Sequence, residues 1–218
     1  MNTNGIQGLG TGQLFTNNIP SPLKVKSGIL SKENSEIWDD INQFISGWYS
    51  PIDKMALQTS GSTGKPKSIS VSKGWMENSA QLTGKTFGLK EGDTALLCMP
   101  MKYVAGKMMV VRALKLGLDL KVVEPFSKPL KNIDEPIDFA AMDPMQLEKS
   151  LDQIEKMKTL LMGGGKVSPK LVRKRQGIST QVNGTYGMSE TLTHVAIRPL
   201  NGPSTSSVFQ AWGGMQFR

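Results

Sequence analysis

Strand and helix patterns that alternate along the chain predict an α/β protein, with parallel-sheet subdomains flanked by helices. Three observations carry this prediction. Apolar runs of strand length recur at Thr94 to Met99, Leu120 to Val123, Phe139 to Met142 and Thr159 to Met162. Segments of helical period separate several of them. Two Gly-rich segments each follow a predicted strand, and ligands in such folds bind in loops beyond the strands' carboxyl ends.

The elements follow in order. Residues 1–30 are rich in Gly, Asn, Pro and Ser with little periodicity, and read as a surface arm ahead of a domain over residues 31–218. Ile37, Ile41, Phe44 and Ile45 recur at helical spacing and predict a helix over Asn34 to Ser46. Short strands are expected at Met55 to Gln58 and at Ser68 to Val71, on either side of a Gly/Ser/Thr-rich loop. A helix from Lys73 to Phe87 follows, with Ser72 placed as its N-cap. After the strand at residue 94, a helix over Gly106 to Leu116 ends at Gly117. The later helices are expected from about Pro144 to Leu151 and over Val167 to Arg175, with a last strand at Thr180 to Asn183.

Hydrophobic residues make up 38% of the 218 and charged residues 20%, a composition that supports a buried core and excludes a disordered chain. The longest apolar runs are far too short to span a bilayer, and MNTNGIQGLG has neither the basic nor the apolar part of a secretory signal. The single cysteine, Cys98, lies in an apolar run and is expected as a buried thiol. These features together point to the cytoplasm. The net charge of +8 admits nucleic acid, an anionic membrane surface or phosphorylated small ligands. The one dense basic cluster, Lys170, Arg173, Lys174 and Arg175, reads as a solvated helix face. Aromatics do not interleave with it, so no nucleic-acid partner and no membrane partner is expected.

Thr59, Ser60, Gly61, Ser62, Thr63, Gly64, Lys65, Pro66 and Lys67 form the strongest signal. The glycines let backbone approach a ligand closely, the hydroxyls and N–H groups can hold an anion, and the two lysines add positive charge. The string is a phosphate cradle but not a Walker loop. Thr59 stands where that pattern needs its first glycine, and Pro66 stands where a magnesium-binding hydroxyl should follow the lysine. Downstream, Gly163, Gly164 and Gly165 expose backbone after a strand. Residues Asn183 to Thr191 then carry Thr185, Tyr186, Gly187, Ser189 and Glu190. Tyr186 can stack on a purine, Ser189 can donate to a phosphate, and Glu190 offers a hard oxygen to magnesium.

Together and in this order, the segments resemble the nucleotide-binding signatures of the adenylate-forming superfamily, which includes acyl-CoA synthetases, luciferases and peptide-synthetase adenylation domains. Ser68 replaces the usual glycine after the second lysine, and Ser189 replaces a threonine while keeping the hydroxyl. The resemblance covers nearly all of residues 55–218. It implies the amino-terminal part of that ligase fold, with ATP, Mg2+ and CoA as cofactor and co-substrates. It also implies roles: Gly163 to Gly165 line the adenine, Tyr186 stacks on it, Ser189 contacts the α-phosphate, Glu190 binds magnesium, and Lys67 and Glu190 act in catalysis.

Pro100, Tyr103 and Gly106 fit the superfamily's acyl-pocket helix. With Val111-Arg-Ala-Leu114 and Thr185 to His194 they look like the o-succinylbenzoate–CoA ligase branch of menaquinone biosynthesis, although Tyr103 replaces that branch's histidine. Tyr103, Gly106 and Lys107 are therefore candidate substrate contacts. Lys107 and Arg112 could each attract a dicarboxylate, and an exposed helix face accounts for them equally well. His194, the only histidine, is expected to be structural.

The expected partners are a small carboxylic acid, ATP and CoA, and a homodimer stays open. The family pattern continues beyond residue 218 with a ribose-binding aspartate and a C-terminal domain bearing a catalytic lysine. The chain is accordingly expected to be a truncated piece that binds nucleotide weakly and turns over poorly. The alternative is a non-catalytic adenine-nucleotide module without its lid.

Overall fold

The structure, a computed structural model, describes residues 12–16, 19–27, 35–58, 67–165, 177–192 and 194–216. In chain order they form β1 (Gly12–Thr16), β2 (Ile19–Ser27), α1 (Ser35–Trp48), β3 (Lys54–Gln58), β4 (Ser68–Ser72), α2 (Lys73–Phe87), β5 (Thr94–Leu97), α3 (Val104–Leu116) and β6 (Asp119–Val122). Then come β7 (Ile137–Met142), α4 (Pro144–Lys149), a 3-10 turn over Leu151–Lys156, β8 (Met157–Met162), β9 (Gln181–Gly187), β10 (His194–Pro199) and β11 (Gln210–Ala211). The helix expected over Val167 to Arg175, the basic cluster within it and the loop residues Thr59 to Pro66 lie outside the described residues.

Nine strands make one sheet in the order β1-β2-β6-β5-β7-β8-β9-β10-β11. From β2 through β9 the neighbours run parallel, as the alternation predicts, and the β9, β10 and β11 end is antiparallel. β5, β7 and β8 bury residues on both faces, which is why Ala95 to Leu97, Phe139 to Met142 and Thr159 to Met162 read as largely apolar runs. Ala95, Leu97, Leu120, Val122, Phe139 and Leu161 pack toward α1, α2 and α3. Leu96, Cys98, Ala140, Met142, Leu160 and Met162 pack on the other face with Leu130, Ile133, Leu147 and Ile154. β3 and β4 form a separate antiparallel hairpin with Gln58 opposite Ser68.

Local chemistry sets the helix ends. Ser72 caps α2, its hydroxyl accepting from the Trp75 N–H at 3.2 Å. Gly88 and Gly117 close α2 and α3 in the left-handed region, at φ 63° and 68°. Asp143 and Gln146 make a reciprocal capping box on α4, with Pro144 in its first turn. α4 stops at Lys149, two residues short of expectation, and the chain tightens into the 3-10 turn.

The clearest departure from the sequence expectation lies near the amino terminus. Within the stretch read as an arm, β1 and β2 form, and β2 joins the sheet beside β6 through Val25 to Ser27. Pro20 and Pro22 cannot donate to a ladder, and they fall outside that paired stretch.

Candidate active site

The chain runs from β5 to β6 on one side and later to β7 on the other, so strand order reverses at β5. Open parallel sheets leave a crevice at such a switch point, beyond the strands' carboxyl ends. A cleft of about 350 Å³ lies there. Met99, after β5, lines it, as do Met142 and Asp143 after β7 and Gly163 and Gly164 after β8. α3 supplies one wall through Val104, Ala105, Met108 and Arg112. Thr185, Gly187, Met188, Ser189, Leu192 and His194 supply another.

The glycine-rich strand end is held by backbone. The Gly163 N–H donates to the Met142 carbonyl at 3.2 Å, tying the ends of β7 and β8. The Thr185 hydroxyl donates to the Met162 carbonyl at 3.1 Å. A Cβ at Gly163 would stand 2.9 Å from that hydroxyl, so a side chain there collides with the cleft wall. Gly164 takes φ 76°, a conformation that suits glycine. Gly165 lies beside Pro144 and does not line the cleft.

Ser189 and Glu190 sit on a 3-10 turn, Ser189–Thr191, after β9. The Met188 N–H donates to the Thr191 hydroxyl, and the Leu192 N–H donates to the Ser189 carbonyl, both at 3.0 Å. Leu192 takes φ 67°, the one non-glycine residue with positive φ among those described. Its buried side chain, 5% exposed, anchors the turn in the core at the cost of local backbone strain. Ser189 lines the cleft, and Glu190 is exposed beside it.

One described neighbour of the loop expected to cradle phosphate reaches the cleft. Gln58, the residue before Thr59, lines the cleft and bridges to Tyr103. Lys67, at the other root, is exposed and outside the lining. Tyr186 is 51% exposed and also outside the lining, as strand alternation between Thr185 and Gly187 requires.

The structure separates the candidate substrate contacts. Tyr103 lines the cleft mouth at the start of α3. Gly106 is buried where a Cβ would stand 2.4 Å from the Pro100 carbonyl oxygen, so it permits close packing of helix on loop. Lys107 is half-buried against β3, donating to the Ala56 carbonyl at 3.3 Å. Burial lowers its pKa, and Asp40 opposes that shift. Arg112 is the cation that reaches the cleft. It is 2% exposed, its Nε donates to the Thr83 hydroxyl at 3.2 Å, and its guanidinium lies 6.0 Å from the Phe139 ring centre. Burial pulls its pKa down to about 10, and no ion pair to it is found among the described residues. An unpaired buried guanidinium is costly unless an anion reaches it.

His194 lines the cleft because of an irregularity between β9 and β10, where the register shifts between His194 and Ala196. Burial, then the charge on Arg112, pushes its imidazole down to about 3, so it is neutral near pH 7. Its ring lies 5.5 Å from that of Trp212, whose Nε1 donates to the Thr86 hydroxyl at 3.0 Å. Cys98 is the buried thiol expected, pushed up to about 12 by burial and by Asp143.

A parallel α/β sheet with Gly163, Gly164, Gly187 and Ser189 lining one cleft at its switch point defines a ligand-binding α/β protein, with the cleft beyond the carboxyl ends of its strands. Residues 51–215 match the AMP-binding enzyme family, and the chain belongs to that family. It is 29% identical over 175 residues to 2-succinylbenzoate–CoA ligase of Lactococcus lactis, a match covering 76% of this chain and 39% of that protein. Among solved structures it is similar to the acyl-CoA synthetase (AMP-forming)/AMP-acid ligase II-like protein of Dyadobacter fermentans. That match has 36% identity and a TM-score of 0.79, over 86% of this chain and 55% of that one. It also shares the fold of o-succinylbenzoate coenzyme A synthetase from Bacillus subtilis, a complex with ATP and magnesium ion. There the identity is 23% and the TM-score 0.60, over 66% of this chain and 32% of that one. The chain thus spans well under half the length of the Lactococcus relative and about half that of the Dyadobacter protein. Among the described residues, no helix is long and apolar enough to cross a membrane.

Proposed function

We propose that this cleft binds ATP and a carboxylic acid and joins them as an acyl-adenylate, the acyl group then passing to the thiol of CoA. The single observation that carries this reading is the shared cleft. Gln58 just before the 59–67 loop, the Gly163-Gly164 turn and Ser189 all open on it. A carboxylate oxygen attacks the α-phosphorus, the bond to the β-phosphate oxygen breaks, and pyrophosphate leaves. The thiol then attacks the acyl carbon, and AMP leaves. Two anions must meet in the first step, so the protein's part is positioning and charge neutralisation. Lys67, the loop N–H groups, Ser189 and the turn at Gly163 and Gly164 would hold the nucleotide.

Glu190 suits magnesium in the way one carboxylate and several phosphate oxygens share that ion. Among the described residues, no group of three or more acidic, histidine or cysteine side chains is built for a metal. When bound, the ion neutralises charge on the departing pyrophosphate.

The preferred acid is an aromatic dicarboxylate such as o-succinylbenzoate. Arg112 supports this, as a buried cation on the cleft wall that a second carboxylate would satisfy. Tyr103 stands at the entrance.

The test is pyrophosphate exchange into ATP across a panel of acids. Exchange should depend on an aromatic dicarboxylate. Arg112→Met should weaken its use by about 2 kcal/mol, roughly 30-fold, while leaving a matched monocarboxylate nearly unaffected. ATP binding without exchange for any acid would leave a nucleotide-binding module and end the ligase reading.

A further inference from the structure

Phe209 and Arg198 form a second contact system at the antiparallel end of the sheet, outside the cleft lining. The Arg198 guanidinium carbon lies 4.7 Å from the Phe209 ring centre, close enough for a cation–π contact. Arg198 is held there by donating from a terminal nitrogen to the Ser207 carbonyl at 2.8 Å. The Phe209 ring in turn lies 6.2 Å from the Tyr186 ring, tilted by 56°, within the range of favourable aromatic pairs. Sheet register explains the meeting. Tyr186 on β9 lies opposite Ala196, and Arg198 on β10 lies opposite Gly184. Gln210 opposite Ile197 brings Phe209 next to Arg198.

We infer that Arg198 and Phe209 are positioning residues that hold Tyr186 as a platform for the nucleotide base. This rests on the ATP-binding reading above. Tyr186 is 51% exposed while the Phe209 ring lies against it, so the ring has a fixed neighbour and still offers surface to a ligand. An unbraced tyrosine on a strand end would have to be ordered by the base itself, at a cost in rotamer freedom. With the ring already fixed, the base stacks at the rim and the phosphates reach inward past Gly163 and Ser189. The contribution of the brace therefore falls on the base and not on the phosphates.

The experiment compares the affinities of the full chain for MgATP and for magnesium tripolyphosphate, which carries phosphates without a base. Phe209→Ala should weaken ATP by about fivefold to tenfold, with tripolyphosphate changed by less than twofold. Phe209→Tyr should restore ATP affinity, and Arg198→Met should show a smaller loss of the same kind. Tyr186→Ala is the control. If Tyr186→Ala weakens ATP selectively and Phe209→Ala does not, the brace is wrong and the nucleotide reading stands. Equal loss of both ligands in Phe209→Ala would make the residue merely structural and would also overturn the inference. A parent chain that binds neither ligand would overturn both readings.

Discussion

Arg112 and Lys107 show what one residue's placement can decide. Both lie on α3, five positions apart, so at 3.6 residues per turn they point about 140° from each other. Only one of them can face the cleft, and the sequence does not say which. Burial answers it, since Arg112 is enclosed against Thr83 and Phe139 while Lys107 is bound to the Ala56 carbonyl. His194 was equally opaque, because the register shift that turns it to the cleft leaves no mark in composition. Its proton equilibrium gives a prediction. The ordinary value is 6.5 and the folded value is about 3, so below pH 6.5 the unfolded chain takes up a proton that the folded chain refuses. This contribution to stability is full above pH 6.5 and is lost as pH falls from there toward 3. Denaturant unfolding should show the parent losing on the order of 2 kcal/mol more between pH 7 and about pH 4 than His194→Asn does. Superimposable pH profiles would show that the imidazole is not held neutral by the fold.

Elements with a strong period or a chemical boundary were readable in advance. α2 begins and ends where Ser72 and Gly88 put it, and α3 ends at Gly117 as expected. Its start came two residues early, at Val104, because the Tyr103 backbone serves as N-cap without a side-chain bond that the sequence could reveal. β2 was missed for a different reason. Its proline pair and the neighbouring asparagines and glycine read as turn chemistry, while the stretch that pairs with β6 is short, Val25 to Ser27. The cap on α2 can be tested alone. Ser72→Ala should cost about 1 kcal/mol in denaturant unfolding, and Ser72→Asp should recover most of it. A loss below a few tenths would mean that the β4–α2 junction is held by the sheet and not by the cap.

At the scale of the whole molecule, the parallel sheet is legible in the alternation of strand and helix patterns, and the family in glycine and hydroxyl patterns that mark backbone approaching a ligand. Strand order was not, since the reversal at β5 depends on which neighbour each strand finds and not on its own residues. That reversal is what brings α3, the Gly163 turn and Ser189 around one opening. We propose that these parts, with the loop between Gln58 and Lys67, grip one adenine nucleotide. Calorimetric titration of the chain with MgATP tests it most directly. One saturable site per chain is expected. Lys67→Ala should weaken it roughly tenfold, the scale of losing one charge-assisted contact. Gly163→Val should abolish it while the far-ultraviolet circular dichroism stays that of the parent. Absence of saturable binding, or a site indifferent to both substitutions, would contradict the account.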